Sequence, residues 1–248
     1  MKKFSVVIPT LNEEQNLPQL LLSLSKQTQK DFEVIVSDSH SEDKTKEKAL
    51  EFQKTLDLKF VESPKRKLTF QRNFGVQSAG GEYLVFLDAD YKVEENFLEI
   101  FLEIINKTNI DVIIPISIPI TKSLFWKLYY MIANRGSFVT LMLRKPFAVG
   151  SAICVKKAVF DKIGGYDDSV YIYEDQYLIQ QLFKFGAKII YAKARDYFSA
   201  RRQERDGVVK FIYENVVSTS QLLFKGPIRK EIFKYEMGGQ EFKKKQEI

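Results

Sequence analysis

One cysteine and one histidine are all that the 248-residue chain holds of the two side chains from which zinc sites are usually built. Cys154 has no partner for a disulfide within the chain, which fits a reduced, cytoplasmic setting. With only His40 beside it, no His-rich or Cys-rich zinc site can form, so a metal here must be held mainly by oxygen, as Mg²⁺ or Mn²⁺ is. Long apolar runs are missing too, and no window reaches the ~20 apolar residues of a spanning helix. The start, Met1-Lys2-Lys3 and then Phe4 to Ile8, imitates a signal peptide only until Pro9 and the polar residues Asn12 to Asn16 stop it. Glycine is absent from the turn Pro9-Thr10-Leu11-Asn12-Glu13. A dinucleotide-dependent oxidoreductase needs glycine there for backbone to approach pyrophosphate, and a nucleotidyltransferase wants a glycine-rich, basic loop; both are set aside. Acidic residues are absent from Val112 to Phe160, where Lys122, Lys127, Arg135, Arg144, Lys145, Lys156 and Lys157 supply seven positive charges.

What is present describes a folded α/β protein. Hydrophobic residues make up 45% and charged residues 28%, a globular balance rather than a disordered one. The net charge of +6 serves solubility or an anionic partner. Phe4 to Ile8 reads as a buried strand, and Leu17, Leu20, Leu21 and Leu24 mark one helix face, with Asn12 and Gln15 as its expected cap. Strands at Phe32 to Val36, Leu58 to Val61, Tyr83 to Leu87 and Val112 to Ile114 alternate with helices over Lys44 to Leu56, over Thr69 to Ala79 (ended by Gly80-Gly81) and around Phe97 to Ile105. Such alternation predicts right-handed βαβ units, a Rossmann-like, mostly parallel central sheet flanked by helices. Ligands of these sheets bind beyond the carboxyl ends of the strands. Those ends carry Pro9-Thr10, Asp38, Ser63 and Asp88-Ala89-Asp90.

Two carboxylates at the end of a buried strand repel each other and lose hydration unless a cation compensates them. A divalent ion between Asp90 and a diphosphate meets that need. Asp38 can accept hydrogen bonds from a nucleobase or ribose, Arg72 suits a phosphate or base, and Ser41, Asp43 and Thr45 read as a helix cap. An acidic rim of this kind repels nucleic acid. Four ordered segments, Val7-Ile8-Pro9-Thr10-Leu11-Asn12-Glu13, Val36-Ser37-Asp38-Ser39-His40-Ser41, Arg72-Asn73-Phe74-Gly75 and Asp88-Ala89-Asp90, resemble the successive motifs of family 2 glycosyltransferases over about residues 4 to 200. The resemblance implies the GT-A fold and inverting sugar transfer from a nucleoside diphosphate, UDP or GDP. It implies that Pro9, Thr10, Glu13 and Asp38 line the nucleoside pocket, that Arg72 helps hold the nucleotide, and that Asp88 contacts ribose or sugar. By the same resemblance Asp90, with Asp88, holds Mn²⁺ or Mg²⁺. His40, where the family usually has a small residue, is expected to face solvent.

The second half is less regular. Strands are expected at Ala152 to Val155 and Ile189 to Tyr191, and helices near Leu124 to Ala133, up to Ile163, from Glu174-Asp175 onward, and over Gly207 to Leu223. Glu174-Asp175, after Gly164-Gly165-Tyr166-Asp167, resembles the family's E-D motif, with Asp175 matching the general base and Glu174 the second candidate. Inverting transfer requires such a carboxylate to take the acceptor's proton, and a helix N-terminus favours its ionised form. Ser199-Ala200-Arg201-Arg202 resembles a basic pair that clasps a diphosphate or an acceptor phosphate. The histidine with which many relatives complete the metal site is missing, leaving Asp196, Ser199 or water as stand-ins, and no Gln-x-x-Arg-Trp motif of processive relatives is present. The expected organisation is a nucleotide-sugar half at 1–115, an acceptor and catalytic-base half at 116–205 within the same GT-A domain, and a helical extension at 206–248 whose end, Gln240 to Ile248, is a solvated tail. The acceptor, lipid-linked or a glycan, is not readable. The helix with Trp126, Tyr129 and Tyr130 either lies peripherally on a membrane or packs against protein. A module that binds nucleotide sugars without turnover is the alternative to an enzyme.

Overall fold

The computed structural model describes residues 2–233, so the expected tail at Gln240 to Ile248 lies outside the described residues. Strands β1 (Phe4–Thr10), β2 (Phe32–Asp38), β3 (Leu58–Glu62) and β4 (Tyr83–Phe86) pair in parallel in the order β3-β2-β1-β4. β1, β2 and β4 are buried at every position, the condition under which strands read as unbroken apolar runs. Helices α1 (Leu17–Ser25), α2 (Thr45–Leu50), α3 (Leu68–Gln77) and α4 (Phe97–Lys107) fall between strands, and α1 buries all four of its predicted leucines.

Two local expectations are corrected. No side chain caps α1, whose first turn follows Asn16 rather than Asn12. Asn12 instead takes a left-handed conformation (φ 55°), and its side-chain oxygen accepts a hydrogen bond from the Glu42 backbone N–H at 2.8 Å. The helix expected over Lys44 to Leu56 ends at Leu50 and tightens into a 3₁₀ turn, Glu51–Lys54.

The sheet then continues through the second half. β5 (Tyr91–Val93), β6 (Val112–Ile120), β7 (Ile153–Lys156) and β8 (Ile189–Ser199) complete one eight-stranded, mostly parallel sheet in the order β3-β2-β1-β4-β7-β6-β8-β5. β7 alone interrupts the interior, running antiparallel to both β4 and β6, while β5 is an antiparallel edge. Because Phe86 pairs with Ile153, the chain entering β7 lies at the same rim as the chain leaving β4. β6 and β8 are much longer than the short runs expected, and their parallel register slips. Ile114 faces Tyr191 but Ile116 faces Arg195, so β8 bulges by two residues before Asp196 comes opposite Ser117.

Helices α5 (Leu124–Met142), α6 (Lys157–Lys162), α7 (Glu174–Lys184), α8 (Arg201–Asp206) and α9 (Val208–Phe224) complete the described chain. α5 runs a further two turns past the predicted end at Ala133, and Trp126 and Tyr130 are buried rather than exposed. Their rings meet Phe211 of α9 at centroid distances of 5.0 and 6.5 Å, and Tyr130 meets Phe198 of β8 at 4.9 Å.

Gly81 owes its place to close approach. Neither it nor Gly80 is in the left-handed region, so neither closes α3 in the expected manner. A Cβ on Gly81 would stand 2.6 Å from the Ser5 backbone nitrogen and 2.7 Å from the Phe4 carbonyl carbon, both in β1. Gly81→Ala is therefore expected to destabilise the protein by about 1–3 kcal/mol in urea denaturation. Gly136→Ala, inside α5 with nothing within 4 Å of the new methyl group, should instead gain about 0.5–1 kcal/mol from helix propensity. Equal effects at the two positions would contradict the packing argument.

Candidate active site

One rim of the sheet is built at the ends of β1 and β2. Thr10 closes β1 and its hydroxyl donates to Asp38 Oδ1 at 2.8 Å across the parallel pair. The Ser41 hydroxyl donates to the same oxygen at 2.5 Å, and the Ser41 backbone N–H donates to Asp38 Oδ2 at 2.8 Å. Asp38 is thus buried with both oxygens engaged. The N-cap of α2 is Lys44, without a side-chain cap bond, so the expected cap is corrected; instead Ser41 Oγ accepts from the Asn12 N–H, Thr45 Oγ1 from the Glu13 N–H and Asp43 from the Glu14 N–H. These bonds tie the turn after β1 to the turn after β2. His40 is exposed at a left-handed position (φ 56°).

Glu13 sits between this rim and the second half of the chain. It is buried, accepts from Asn16 Nδ2 at 2.7 Å, and lies 4.0 Å from the Arg201 guanidinium. Burial, with the negative charges of Asp90 and Asp88, pushes its carboxyl up to about 7. Burial first, then Asp88, likewise raises Asp90 to about 6, against the pull of Arg201 and Arg202.

Under the rim lies the junction that joins the two halves. Arg72, fully buried on the sheet-facing side of α3, donates from Nη2 to Asp88 Oδ1 at 2.8 Å. Its Nη1 donates to Asp175 Oδ1 at 2.8 Å and to Glu174 Oε1 at 3.0 Å. The guanidinium also lies 5.0 Å from the centre of the Tyr166 ring, and the Tyr166 hydroxyl donates to Asp175 Oδ1 at 2.8 Å. The sequence reading put Arg72 against the nucleotide; the structure gives its guanidinium three carboxylate partners and no solvent exposure. Burial opposes the arginine's charge, but Asp175, Asp88 and Glu174 outweigh it. Asp175 opens α7 as expected, yet burial and its acidic neighbours hold its carboxyl well above the usual aspartate range, against Arg72. The helix terminus does not dominate.

Around this junction a cavity of about 350 Å³ opens, lined by Asp88 and Asp90 from the first half and by Glu174, Asp175, Ser199 and Arg202 from the second. Pro9, Thr10, Glu13, Asp38, Arg72 and Arg201 are not among its lining residues. Three lining groups escaped the sequence reading. Ser151, brought in by the reversal of β7, donates to Asp88 Oδ2 at 2.5 Å and stands 3.0 Å from the Tyr91 hydroxyl. Gln176 clasps the chain before β7, donating to the Ala148 carbonyl and accepting from its N–H at 2.9 Å. Tyr173 precedes the E-D pair in a left-handed conformation (φ 63°), uncommon for so large a side chain. Such a torsion cannot be read from composition, whereas Ser151 follows from β7 beginning beside the end of β4.

Among the described residues no group of three or more His, Cys, Asp or Glu side chains forms a ready metal cage. Asp196 is fully buried and accepts from Ser117 Oγ at 3.1 Å, so of the two stand-ins it is Ser199 that reaches the cavity. Asp90 accepts no hydrogen bond from a described side chain, and Asp88 has one oxygen on Arg72 and the other on Ser151. Two carboxylates on an open cavity suit a hard cation that keeps several water or phosphate ligands.

The model of the family described as "Glycosyl transferase family 2" matches residues 5–164, well over half of the chain. The chain belongs to that family. Among relatives, glycosyltransferase AglE of Haloferax volcanii is 33% identical over 113 residues, 44% of this chain and 37% of that protein. Poly(ribitol-phosphate) beta-N-acetylglucosaminyltransferase TarS of Staphylococcus aureus is 33% identical over 118 residues, 46% of this chain and 21% of TarS. The chain therefore aligns with well under half of these proteins' lengths. In structure, TarS 1–349 in complex with UDP-GlcNAc superposes with a TM-score of 0.65 at 21% identity, covering 89% of this chain and 66% of that one. The mannosyltransferase PcManGT from Pyrobaculum calidifontis, in complex with GDP-Man and Mn²⁺, gives 0.63 at 20% identity, covering 78% and 56%. At such identities the likeness establishes the fold alone, and it is the family's GT-A fold.

Arg72→Leu leaves three carboxylates without their counter-charge, and about 3–5 kcal/mol of stability should be lost near neutral pH. Since Asp175 titrates above the usual range, lowering the pH protonates it and should shrink that loss. Denaturation at two pH values measures this, and an unchanged loss would assign the effect to packing instead.

Proposed function

We propose that this family 2 protein is an inverting, single-transfer glycosyltransferase that moves a sugar from UDP or GDP to an acceptor hydroxyl or phosphate. One observation carries the reading. Asp88, Asp90, Glu174 and Asp175, from segments more than eighty residues apart in the chain, face the same cavity, and Asp88, Glu174 and Asp175 share one buried arginine.

The roles follow from position. Pro9, Thr10, Glu13 and Asp38 form the nucleoside side, where Asp38, already holding three hydrogen bonds, fixes the shape of the turn. Asp90, helped by Asp88, would hold Mn²⁺ or Mg²⁺, which when bound neutralises charge on the leaving diphosphate. Arg201 and Arg202, close enough to act on the charge of Asp90, are placed to add positive charge beside that diphosphate. Asp175 is the general base: it takes the acceptor's proton as the acceptor oxygen bonds to the anomeric carbon and the bond from that carbon to the diphosphate oxygen breaks. Burial and its acidic neighbours raise its proton affinity above that of an ordinary aspartate, which strengthens it as a proton acceptor. Arg72 and the Tyr166 hydroxyl hold one carboxylate oxygen in place. Glu174, on the same arginine, is the second candidate. TarS and PcManGT in complex with UDP-GlcNAc and with GDP-Man leave both nucleotides in play for this chain.

A thermal-shift panel of UDP, GDP and their sugars with and without Mn²⁺ tests the donor half. Asp90 titrates near 6, above the ordinary 3.8, so the fold favours its neutral form and ionising it costs metal-free stability. A cation at Asp90 needs the ionised form. Its stabilising shift should therefore be full at about pH 8, fade as pH falls through 6, and vanish in Asp90→Asn. A shift that persists unchanged at acid pH or in the variant would remove the cation from this carboxylate. For the acceptor half, Asp175→Asn should lower kcat roughly 10²–10⁴-fold while the donor-induced thermal shift survives. Parallel loss of donor binding would make Asp175 structural.

A further inference from the structure

We infer that the outer face formed by α5 and α9 is a docking surface for an anionic lipid bilayer. The two helices meet near both ends through side chains and point the same way. Trp126 near the start of α5 meets Phe211 near the start of α9, and Lys145 just beyond α5 stands 5.9 Å from the ring of Phe224 at the end of α9. Trp126, Tyr130 and Phe211 turn toward one another, while aliphatic groups of both helices and Phe224 turn out. On α5, Leu124, Ile132 and Met142 are 79%, 59% and 83% exposed. On α9, Val209, Val216 and Phe224 are 84%, 58% and 81% exposed. Each set recurs at helical spacing along one stripe, and a contiguous apolar stripe of this extent marks an interaction surface on a soluble fold.

Charge selects the occupant. No acidic residue occurs from Val112 to Phe160. Lys122, Lys127, Arg135, Arg144 and Lys145, along and beside α5, are all exposed. The acids nearest on α8 and α9 do not balance them: Asp206 and Glu214 line the cavity and pair with Lys210, and Glu204 bonds Thr121. Apolar residues bordered by lysine and arginine with no acid among them are the composition of a surface that lies in a lipid headgroup layer. A second copy would bring two cationic faces together. The chain's own residues 234–248 carry four lysines against three glutamates, no negative excess to offer this face. Among the described residues no helix is long and apolar enough to cross a membrane, so the contact is peripheral.

Flotation of the full chain with phosphatidylglycerol-containing and with pure phosphatidylcholine vesicles tests this without any sugar transfer, so the result is independent of the enzymatic reading. The protein should float with the anionic vesicles, float far less with the neutral ones, and lose binding at about 0.5 M salt. Lys127→Glu with Arg135→Glu should weaken partition roughly tenfold or more. Leu128→Glu with Ile132→Glu on α5, and separately Val209→Glu with Val216→Glu on α9, should abolish it. Circular dichroism would confirm that each variant folds. Protein left at the bottom with both vesicles, or variants that float like the parent, would overturn the inference. So would a dimer dispersed by Ile132→Glu, or binding seen only after residues 234–248 are deleted, since either places protein on this face.

Discussion

Everything at the candidate site is held in register by one buried arginine shared among three carboxylates. Arg72 cannot lose its proton under any condition in which the protein is folded, so its charge is fixed, and the fork of its guanidinium sets where Asp88, Glu174 and Asp175 stand relative to one another. Asp88 belongs to the end of a strand in the first half and the other two to the start of α7 in the second. The ion cluster is therefore the link through which the first and second halves of the chain close on one cavity. One positive charge does not balance three negative ones, and the excess keeps Asp175 protonatable and the rim receptive to cations.

The sheet supplies the rest of the positioning. Five strands point the same way in the run β3-β2-β1-β4 and at β6, and β7 between them is reversed. That reversal delivers Ser151 to Asp88 and Tyr91, and it delivers Ala148 to Gln176 of α7. The bulge in β8 does similar service farther out, setting Asp196 against Ser117 inside the sheet while Ser199 continues to the cavity.

The first four strands were legible because β1, β2 and β4 are buried on both faces and read as unbroken apolar runs, with Asp38 and Asp88 just where β2 and β4 run out. The second half was legible only in part. β5 and α8 span three and six residues, too short for any periodicity to show. β8 was expected only at Ile189 to Tyr191; from Ala192 on it alternates buried with more exposed residues, and the charged Asp196 occupies one of its inward positions, which hid the strand's length. Arg72 was misplaced for a different reason. Thr69, Arg72 and Val76 share one face of α3 and are all buried, a stripe that was there to be seen, but its charge compensation comes from residues about a hundred positions downstream. The E-D pair was found by resemblance; its neighbours Tyr166 and Tyr173 owe their roles to a contact and a backbone torsion that no spacing encodes.

The antiparallel β7 has one further consequence. Since the connection that enters it, Phe147 to Ser151, lines the cavity while β1 to β4 remain paired among themselves, exposed positions between 121 and 147 can vary without touching the pairing of those strands. The buried ones cannot: Trp126 and Tyr130 pack in the core, Asn134 bonds the backbone of Ser117, and Ser151 bonds Asp88 and Tyr91. Such an arrangement lets one wall of a cavity change while the sheet beneath it stays the same.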